Sequence, residues 1–175
     1  MYQRNISRKL AAALADTRVV LLNGARQVGK STLAQQVAQQ RGGQYLTLDD
    51  PVIAELARTD PQALVRGAAQ FTVIDEVQSA PALLPAIKQE VDRRPVAGRF
   101  LLTGSANVFM LPNAAESLAG RMEVLTLEPL SQCEVEASPH NLVDALFGSA
   151  PWVRRSVPTD RADLMRRLVS GGFPE

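Results

Sequence analysis

One stretch, Gly24-Ala25-Arg26-Gln27-Val28-Gly29-Lys30-Ser31, constrains this chain more than any other. It has the spacing G-x-x-x-x-G-K-S/T and follows a β-branched, apolar run, Arg18-Val19-Val20-Leu21-Leu22, that stops at Asn23-Gly24. From Lys30 to Gln40 the apolar Leu33, Ala34, Val37 and Ala38 recur at helical spacing with glutamines on the other face, and Gly42-Gly43 supplies a stop. Strand, glycine-bearing loop and helix in that order make a cradle for phosphate. Glycines accept φ > 0 and leave no side chain in the way, backbone N–H groups converge on the anion, and the helix turns its positive end toward it. Lys30 would reach the β- and γ-phosphates of a nucleotide, the Ser31 hydroxyl would ligand Mg²⁺, and Thr32 adds a hydroxyl near the α-phosphate. Arg26 stands where G-x-G-x-x-G needs its middle glycine, which excludes a dinucleotide fingerprint at this loop.

Further apolar runs follow at regular intervals. Residues 44–48 end at Asp49-Asp50-Pro51, where Asp50 can cap and Pro51 open a helix bearing Ile53, Leu56 and Ala57; Asp60-Pro61 repeats the start signal. Phe71-Thr72-Val73-Ile74 predicts a third strand, residues 83–91 a helix, Arg99-Phe100-Leu101-Leu102 a fourth strand and residues 122–127 a fifth. Strands alternating with helices argue for an α/β fold, a parallel sheet covered by helices on both faces, because right-handed crossovers place them there. After Pro129 the texture changes. Ser138-Pro139, Ser149-Ala150-Pro151 and Val157-Pro158 break short helical stretches, the last holding Leu164, Met165, Leu168 and Val169, expected to pack on the sheet or on sequence beyond this chain. The organisation read from this is a domain over 1–130 and a helical appendage over 131–175. The chain stops at Gly171-Gly172-Phe173-Pro174-Glu175, a turn that normally leads into something further, so a fragment is expected.

Nineteen Lys and Arg balance eighteen Asp and Glu, so there is no global pull toward nucleic acid or an anionic membrane. Arg154-Arg155 and Arg166-Arg167 make the tail locally basic, which could suit nucleic acid, although a solvated helix face is the better reading. No run approaches the length of a membrane span and no cleavable leader is visible, so a cytoplasmic protein is expected. A single cysteine, Cys133, and a single histidine, His140, exclude an internal disulfide and a Cys/His zinc cluster, leaving oxygen ligands for any metal.

The third strand runs into Asp75-Glu76. An acid pair at the end of an apolar strand downstream of a phosphate loop is where Asp75 would hold Mg²⁺ through its water shell and Glu76 would orient or deprotonate an attacking water. The second acid points toward ATPases that hydrolyse with their own glutamate, and the guanine-reading Asn-Lys-x-Asp occurs nowhere in the chain. The fourth strand ends in Thr103-Gly104-Ser105-Ala106-Asn107, making Thr103 or Ser105 the candidate sensor of the γ-phosphate, against the ordinary role of such residues as turn formers. Arg121, just before the fifth strand, can supply charge to a phosphoryl-transfer transition state in cis or from a neighbouring subunit; Arg26 is a second candidate, and a plain surface arginine accounts for either. An in-trans Arg121 demands a homo-oligomer, on which the sequence is silent. Asp49-Asp50 can approach the metal, although capping explains Asp50 by itself.

Taken in order, Leu-Asn-Gly-Ala-Arg-Gln-Val-Gly-Lys-Ser-Thr-Leu, Tyr-Leu-Thr-Leu-Asp-Asp-Pro, Val-Ile-Asp-Glu-Val-Gln, Leu-Leu-Thr-Gly-Ser-Ala-Asn, Ser-Leu-Ala-Gly-Arg, Leu-Glu-Pro-Leu-Ser and Gly-Gly-Phe-Pro-Glu resemble the prokaryotic AAA-type P-loop ATPases that carry a C-terminal domain of uncharacterised function. The resemblance covers essentially the whole chain. It implies a three-layer sandwich around a five-stranded parallel sheet, with an inserted strand separating the strands that lead to the phosphate loop and to the acid pair. It also implies ATP bound by residues 24–32, Mg²⁺ and hydrolysis served by Asp75 and Glu76, a sensor segment over 103–105, and a Gly120-Arg121 family motif. The family continues past Gly-Gly-Phe-Pro-Glu, where this chain ends. A Mg²⁺-dependent ATPase is the leading expectation; a nucleotide-gated switch with little hydrolysis is the alternative, and a small-molecule or nucleotide kinase a third, though no Arg-rich lid is recognisable.

Overall fold

Strand β1 (Val19–Asn23) is buried along its whole length, as an apolar run without alternation demands when both faces of a sheet are covered. The computed structural model describes residues 2–105, 118–137 and 160–174, and they divide into two compact units, Ile6–Glu128 and Met1–Asn5 together with Pro129–Glu175. Ala106-Asn107, the Pro-bearing breaks over 138–159 and Arg154-Arg155 lie outside the described residues.

The larger unit opens with α1 (Ser7–Asp16), an amphipathic helix that the sequence reading did not single out, burying Leu10, Ala13 and Leu14. After β1 come α2 (Lys30–Gln40), β2 (Gln44–Thr47), α3 (Pro51–Thr59), α4 (Pro61–Gly67), β3 (Thr72–Asp75), a short 3₁₀ turn (Val77–Ser79), α5 (Leu83–Arg93), β4 (Phe100–Gly104) and β5 (Met122–Thr126). Asp50 accepts from the Val52 N–H at 2.8 Å and Asp60 from the Ala63 N–H at 2.9 Å, each with proline at the first helical position, so both start signals operate as capping chemistry requires. The sheet order is β2-β3-β4-β1-β5, and every recorded pairing is parallel. β4 therefore stands between the strand leading to the phosphate loop and the strand ending in the acid pair. Alternation along the strands fills two cores. Val19, Leu21, Ile74, Phe100 and Leu102 face the helices α3 to α5, while Val20, Leu22, Val73, Leu101 and Leu125 face α1 and α2. Because the register sets Asn23 opposite Gly104 and Thr126, and Thr47 opposite Asp75, the carboxyl ends of all five strands meet on one edge, where ligands of open α/β sheets bind. Among the described residues no helix is long and apolar enough to cross a membrane.

The smaller unit contains α6 (Gln132–Val135) and α7 (Arg161–Ser170). Glu134 is its buried anchor. Its carboxylate accepts the Asn5 N–H at 2.7 Å, the Arg4 Nε–H at 3.2 Å and the Ser131 N–H at 2.8 Å, closing a capping box. Burial pushes the Glu134 carboxyl up, but the two backbone N–H groups and the Arg4 guanidinium outweigh it and hold it below the usual carboxylate value. A depressed carboxylate contributes stability above its unfolded value, and that contribution is lost as pH falls through the folded one. Glu134→Gln is expected to remove roughly 3 kcal/mol from this unit at neutral pH, and much less once the medium is acid enough to protonate the wild-type residue; a denaturant midpoint unmoved at pH 7 would refute the anchor. On α7 no residue is buried. Leu164, Leu168 and Val169 are exposed rather than packed into a core of the described residues. Arg166 pairs with Asp163, and Arg167 with Asp163 and Glu136, so the described part of the basic tail is largely neutralised and lends no support to a nucleic-acid partner.

Candidate nucleotide-binding site

The loop between β1 and α2 has the backbone that its glycines allow. Gly24 takes φ 157° and Gly29 φ 94°, and Gln27 joins them at φ 63°. A Cβ on Gly24 would stand 2.5 Å from the Leu127 carbonyl oxygen, so the position admits glycine alone. Val28 is fully buried and pins the loop, whereas Ala25, Arg26 and Gln27 are exposed. No side chain caps the first turn of α2, leaving its N–H groups to meet an anion. Lys30 is 5% exposed, its ammonium folded back onto the carbonyl oxygens of Gly24 at 3.2 Å and Ala25 at 2.8 Å. That ammonium lies on the loop itself, within reach of whatever the loop encloses. Thr32 is exposed on the first turn.

Asp75, at the end of β3, is 3% exposed and surrounded by hydroxyls. Ser31 Oγ donates to its Oδ1 at 3.1 Å, Tyr45 Oη donates to its Oδ2 at 2.7 Å, and Thr103 Oγ1 donates to its Oδ1. Thr103 in turn accepts the Glu76 N–H at 3.0 Å. Three elements thus converge on one carboxylate at the end of a fourth. Glu76 leaves the strand in the left-handed region, at φ 60°, a conformation that costs a residue with a Cβ about 1–2 kcal/mol and is retained where the surroundings enforce it.

Residues 16–136 match the AAA domain family. The chain belongs to the AAA domain family. It is 35% identical over 156 residues to two uncharacterized proteins, Rv2008c of Mycobacterium tuberculosis and Mb2031c of Mycobacterium bovis, covering 89% of this chain and 33% of each relative. The chain thus spans about a third of the length of the curated relatives it matches. Among solved structures the fold is similar to C. elegans PCH-2, with a TM-score of 0.52, 18% identity and coverage of 78% of this chain and 46% of that one. It is also similar to the Thermotoga maritima RuvB Holliday junction branch migration motor, with a TM-score of 0.51, 22% identity and coverage of 76% and 47%. The family supports an ATP-binding, ATPase-like role, and the neighbours share the expected parallel α/β sandwich.

Within this AAA domain, the structure brings together Ser31, Asp75 and Thr103, with Lys30 on the adjoining loop. Ser105 is half-buried beyond the end of β4, and among the described residues no hydrogen bond joins it to Asp75 or Glu76. Asp49 is exposed and Asp50 is spent on capping α3. Arg121 requires a correction. Its carbonyl accepts the Val19 N–H at 3.2 Å, so it lies at the amino end of β1, a five-residue strand of about 13 Å away from the loop edge. Its guanidinium is held by Asp92, at 2.5 Å and 3.0 Å, and donates to the Ala119 carbonyl at 3.0 Å. That placement sets Arg121 away from the phosphate loop of its own chain, which speaks against a role in cis and leaves a neighbouring subunit's site or a plain surface arginine.

Two residues escaped the sequence reading, Tyr45 and Gln78. Burial and the Asp75 carboxylate push the Tyr45 phenol well above the usual tyrosine range, so it remains a proton donor throughout the neutral range. Tyr45→Phe leaves Asp75 Oδ2 without that donor and is expected to lower stability by about 1–3 kcal/mol, read as a fall in the urea midpoint; an unchanged midpoint would show that the bond contributes nothing.

Proposed function

We propose that this chain hydrolyses ATP to ADP and phosphate in a Mg²⁺-dependent reaction. The observation that carries the reading is the 3.1 Å approach of Ser31 Oγ to Asp75 Oδ1, between residues 44 apart in sequence. Two hard oxygens on separate elements, beside a loop shaped for phosphate, fit a small divalent cation. Among the described residues no cluster of three His, Cys, Asp or Glu exists, so such an ion would draw its remaining ligands from water and phosphate, as Mg²⁺ does. Held by Ser31 and Asp75, it would neutralise charge on the β- and γ-phosphates. The chain's own residues do the rest. The N–H groups of residues 24–32 and the positive end of α2 bind the phosphates, and Lys30 transfers its ammonium from the loop carbonyls to the terminal phosphates. Thr103 fixes the Asp75 carboxylate and the Glu76 backbone together, and Glu76 takes the proton of the attacking water. Catalysis on this reading is mainly positioning and electrostatic stabilisation. ATP over GTP is favoured by the acid pair and by the lack of an Asn-Lys-x-Asp stretch in the sequence. The placement of Arg121 favours a homo-oligomer in which it serves the neighbouring site.

The direct test is phosphate release from Mg-ATP over a range of protein concentrations. Turnover is expected from the wild type and none from Lys30→Ala. Nucleotide binding without turnover above that control would overturn hydrolysis in favour of a nucleotide-gated switch; no binding at all would sink the site.

A further inference from the structure

The acceptor positions of Asp75 are mostly filled by the protein's own hydroxyls, and filled unevenly. An ionised carboxylate has two oxygens and about four positions at which a hydrogen or a cation can sit. Ser31 Oγ fills one on Oδ1 at 3.1 Å and Thr103 Oγ1 the other. Tyr45 Oη fills one on Oδ2 at 2.7 Å. Among the described residues this leaves one position, on one oxygen. The Ser31 bond ties the carboxylate to the phosphate loop, since Ser31 ends the loop's G-x-x-x-x-G-K-S/T stretch. Tyr45 reaches it from the outermost strand, β2, where it pairs with Val73; Asp75 lies two residues further along β3, on the same face. The ring packs against the core that holds Leu33, Ala38 and Val73. The ring serves that core, and the hydroxyl serves Asp75.

From this count we infer that Tyr45 sets which divalent cation the site accepts: its hydroxyl on Asp75 Oδ2 leaves the carboxylate room for one hydrogen bond from a hydrated ion and denies both oxygens to an ion stripped of water. The inference rests on the Mg²⁺-dependent nucleotide site proposed above and deepens it by naming the residue that decides the metal. Mg²⁺ and Ca²⁺ ask different things of a carboxylate. Mg²⁺ gives up its water reluctantly and needs few protein ligands, whereas Ca²⁺ takes about six to eight oxygens and often both of one carboxylate. Asp75 meets the first demand as it stands, and meets the second only if a hydroxyl lets go. Ser31 belongs to the phosphate loop, and Thr103 also accepts the Glu76 N–H at 3.0 Å. Of the three donors, Tyr45 alone stands outside both the loop and the acid-pair turn, so it tunes the carboxylate without shaping either. It acts through Asp75 and is a positioning residue.

The experiment reads ADP affinity in saturating Mg²⁺ and in saturating Ca²⁺, together with phosphate release from Mg-ATP. The proteins are wild type, Tyr45→Phe, Asp75→Asn and the variant carrying both changes. Wild type is expected to bind ADP more tightly with Mg²⁺ than with Ca²⁺. Tyr45→Phe keeps the ring and drops the hydroxyl, and is expected to reduce that preference about 10-fold, the size of one hydrogen bond to a charged group, by tightening Ca-ADP. In the Asp75→Asn background the same change is expected to leave the preference where Asp75→Asn put it. A less stable Tyr45→Phe protein is read by its unfolding midpoints in Ca-ADP and in Mg-ADP, whose difference is expected to shrink relative to wild type. A preference unchanged by Tyr45→Phe would overturn the inference. So would an equal weakening with both ions, which would make Tyr45 a structural residue, and so would a shift that persists in the Asp75→Asn background. A wild type indifferent to the two ions overturns it without any variant. If wild type binds Mg-ADP and releases no phosphate from ATP, the hydrolysis reading has failed, and the lowered preference still decides for Tyr45. A wild type that binds ADP with neither ion overturns both.

Discussion

Glu76→Gln is expected to reduce turnover by about 10²- to 10⁴-fold, the range for loss of a positioned general base, while Mg-ATP binds as tightly as before. The substitution is suited to the geometry. Gln at 76 keeps the side-chain length, does not disturb the backbone N–H that Thr103 accepts at 3.0 Å, and leaves Asp75 with its three hydroxyl donors. What it removes is the capacity to take a proton. Binding depends on the loop between β1 and α2 and on Lys30, whose ammonium bonds the Gly24 and Ala25 carbonyls, so affinity and chemistry are expected to separate. Equilibrium binding of a fluorescent ATP analogue and single-turnover phosphate release check this on the same samples. Lost affinity would mean that Glu76 holds the site together and does no chemistry; full activity would move the base elsewhere.

How much of this was legible in the residues follows from how local each requirement is. The phosphate loop was legible because its demand falls on consecutive backbone positions: Gly24 lies against the Leu127 carbonyl and Gly29 at φ 94°, and only glycine meets both constraints cheaply. The strands were legible because burial on both faces removes alternation, and their limits shifted by a residue or two because Asp75 and Gly104 pair while carrying no apolar signal. Tyr45 was not legible. A tyrosine on an outer strand has many ordinary reasons to be there, and its contact with Asp75 spans 30 residues. Gln78 was hidden for another reason, since a polar residue in a turn is usually solvated, whereas here its amide donates to the Glu76 carboxylate two residues back. The amino-terminal five residues join the smaller unit through Glu134, a pairing across 129 residues that no periodicity announces. The exposed face of α7 marks the opposite failure: Leu164, Leu168 and Val169 have helical spacing, and spacing specifies a face without saying what covers it.

Arg121 precedes β5 in a parallel sheet, so the strand's direction already placed it at the edge away from the phosphate loop. From that placement follows the second large effect. Arg121→Ala is expected to lose about 10³-fold or more in kcat, as when an arginine finger is removed, with Mg-ATP affinity retained. Equal amounts of Arg121→Ala and Lys30→Ala proteins, each inactive alone, are expected to recover activity when mixed, because the intact loop of the first then faces the intact arginine of the second. The pair with Asp92 does not oppose this. It is partly exposed on both sides, and Asp92 has Arg18 at 3.8 Å as a second partner, so the contact holding the arginine is one that solvent already weakens. Specific activity of the wild type should rise with protein concentration over the same range in which the mixture recovers. A silent mixture, together with a specific activity independent of concentration, would reduce Arg121 to a surface arginine that fastens β5 to α5. Recovery would show instead that the catalytic unit of this AAA domain is an interface between two copies, with the phosphate loop supplied by one and the stabilising charge by the other.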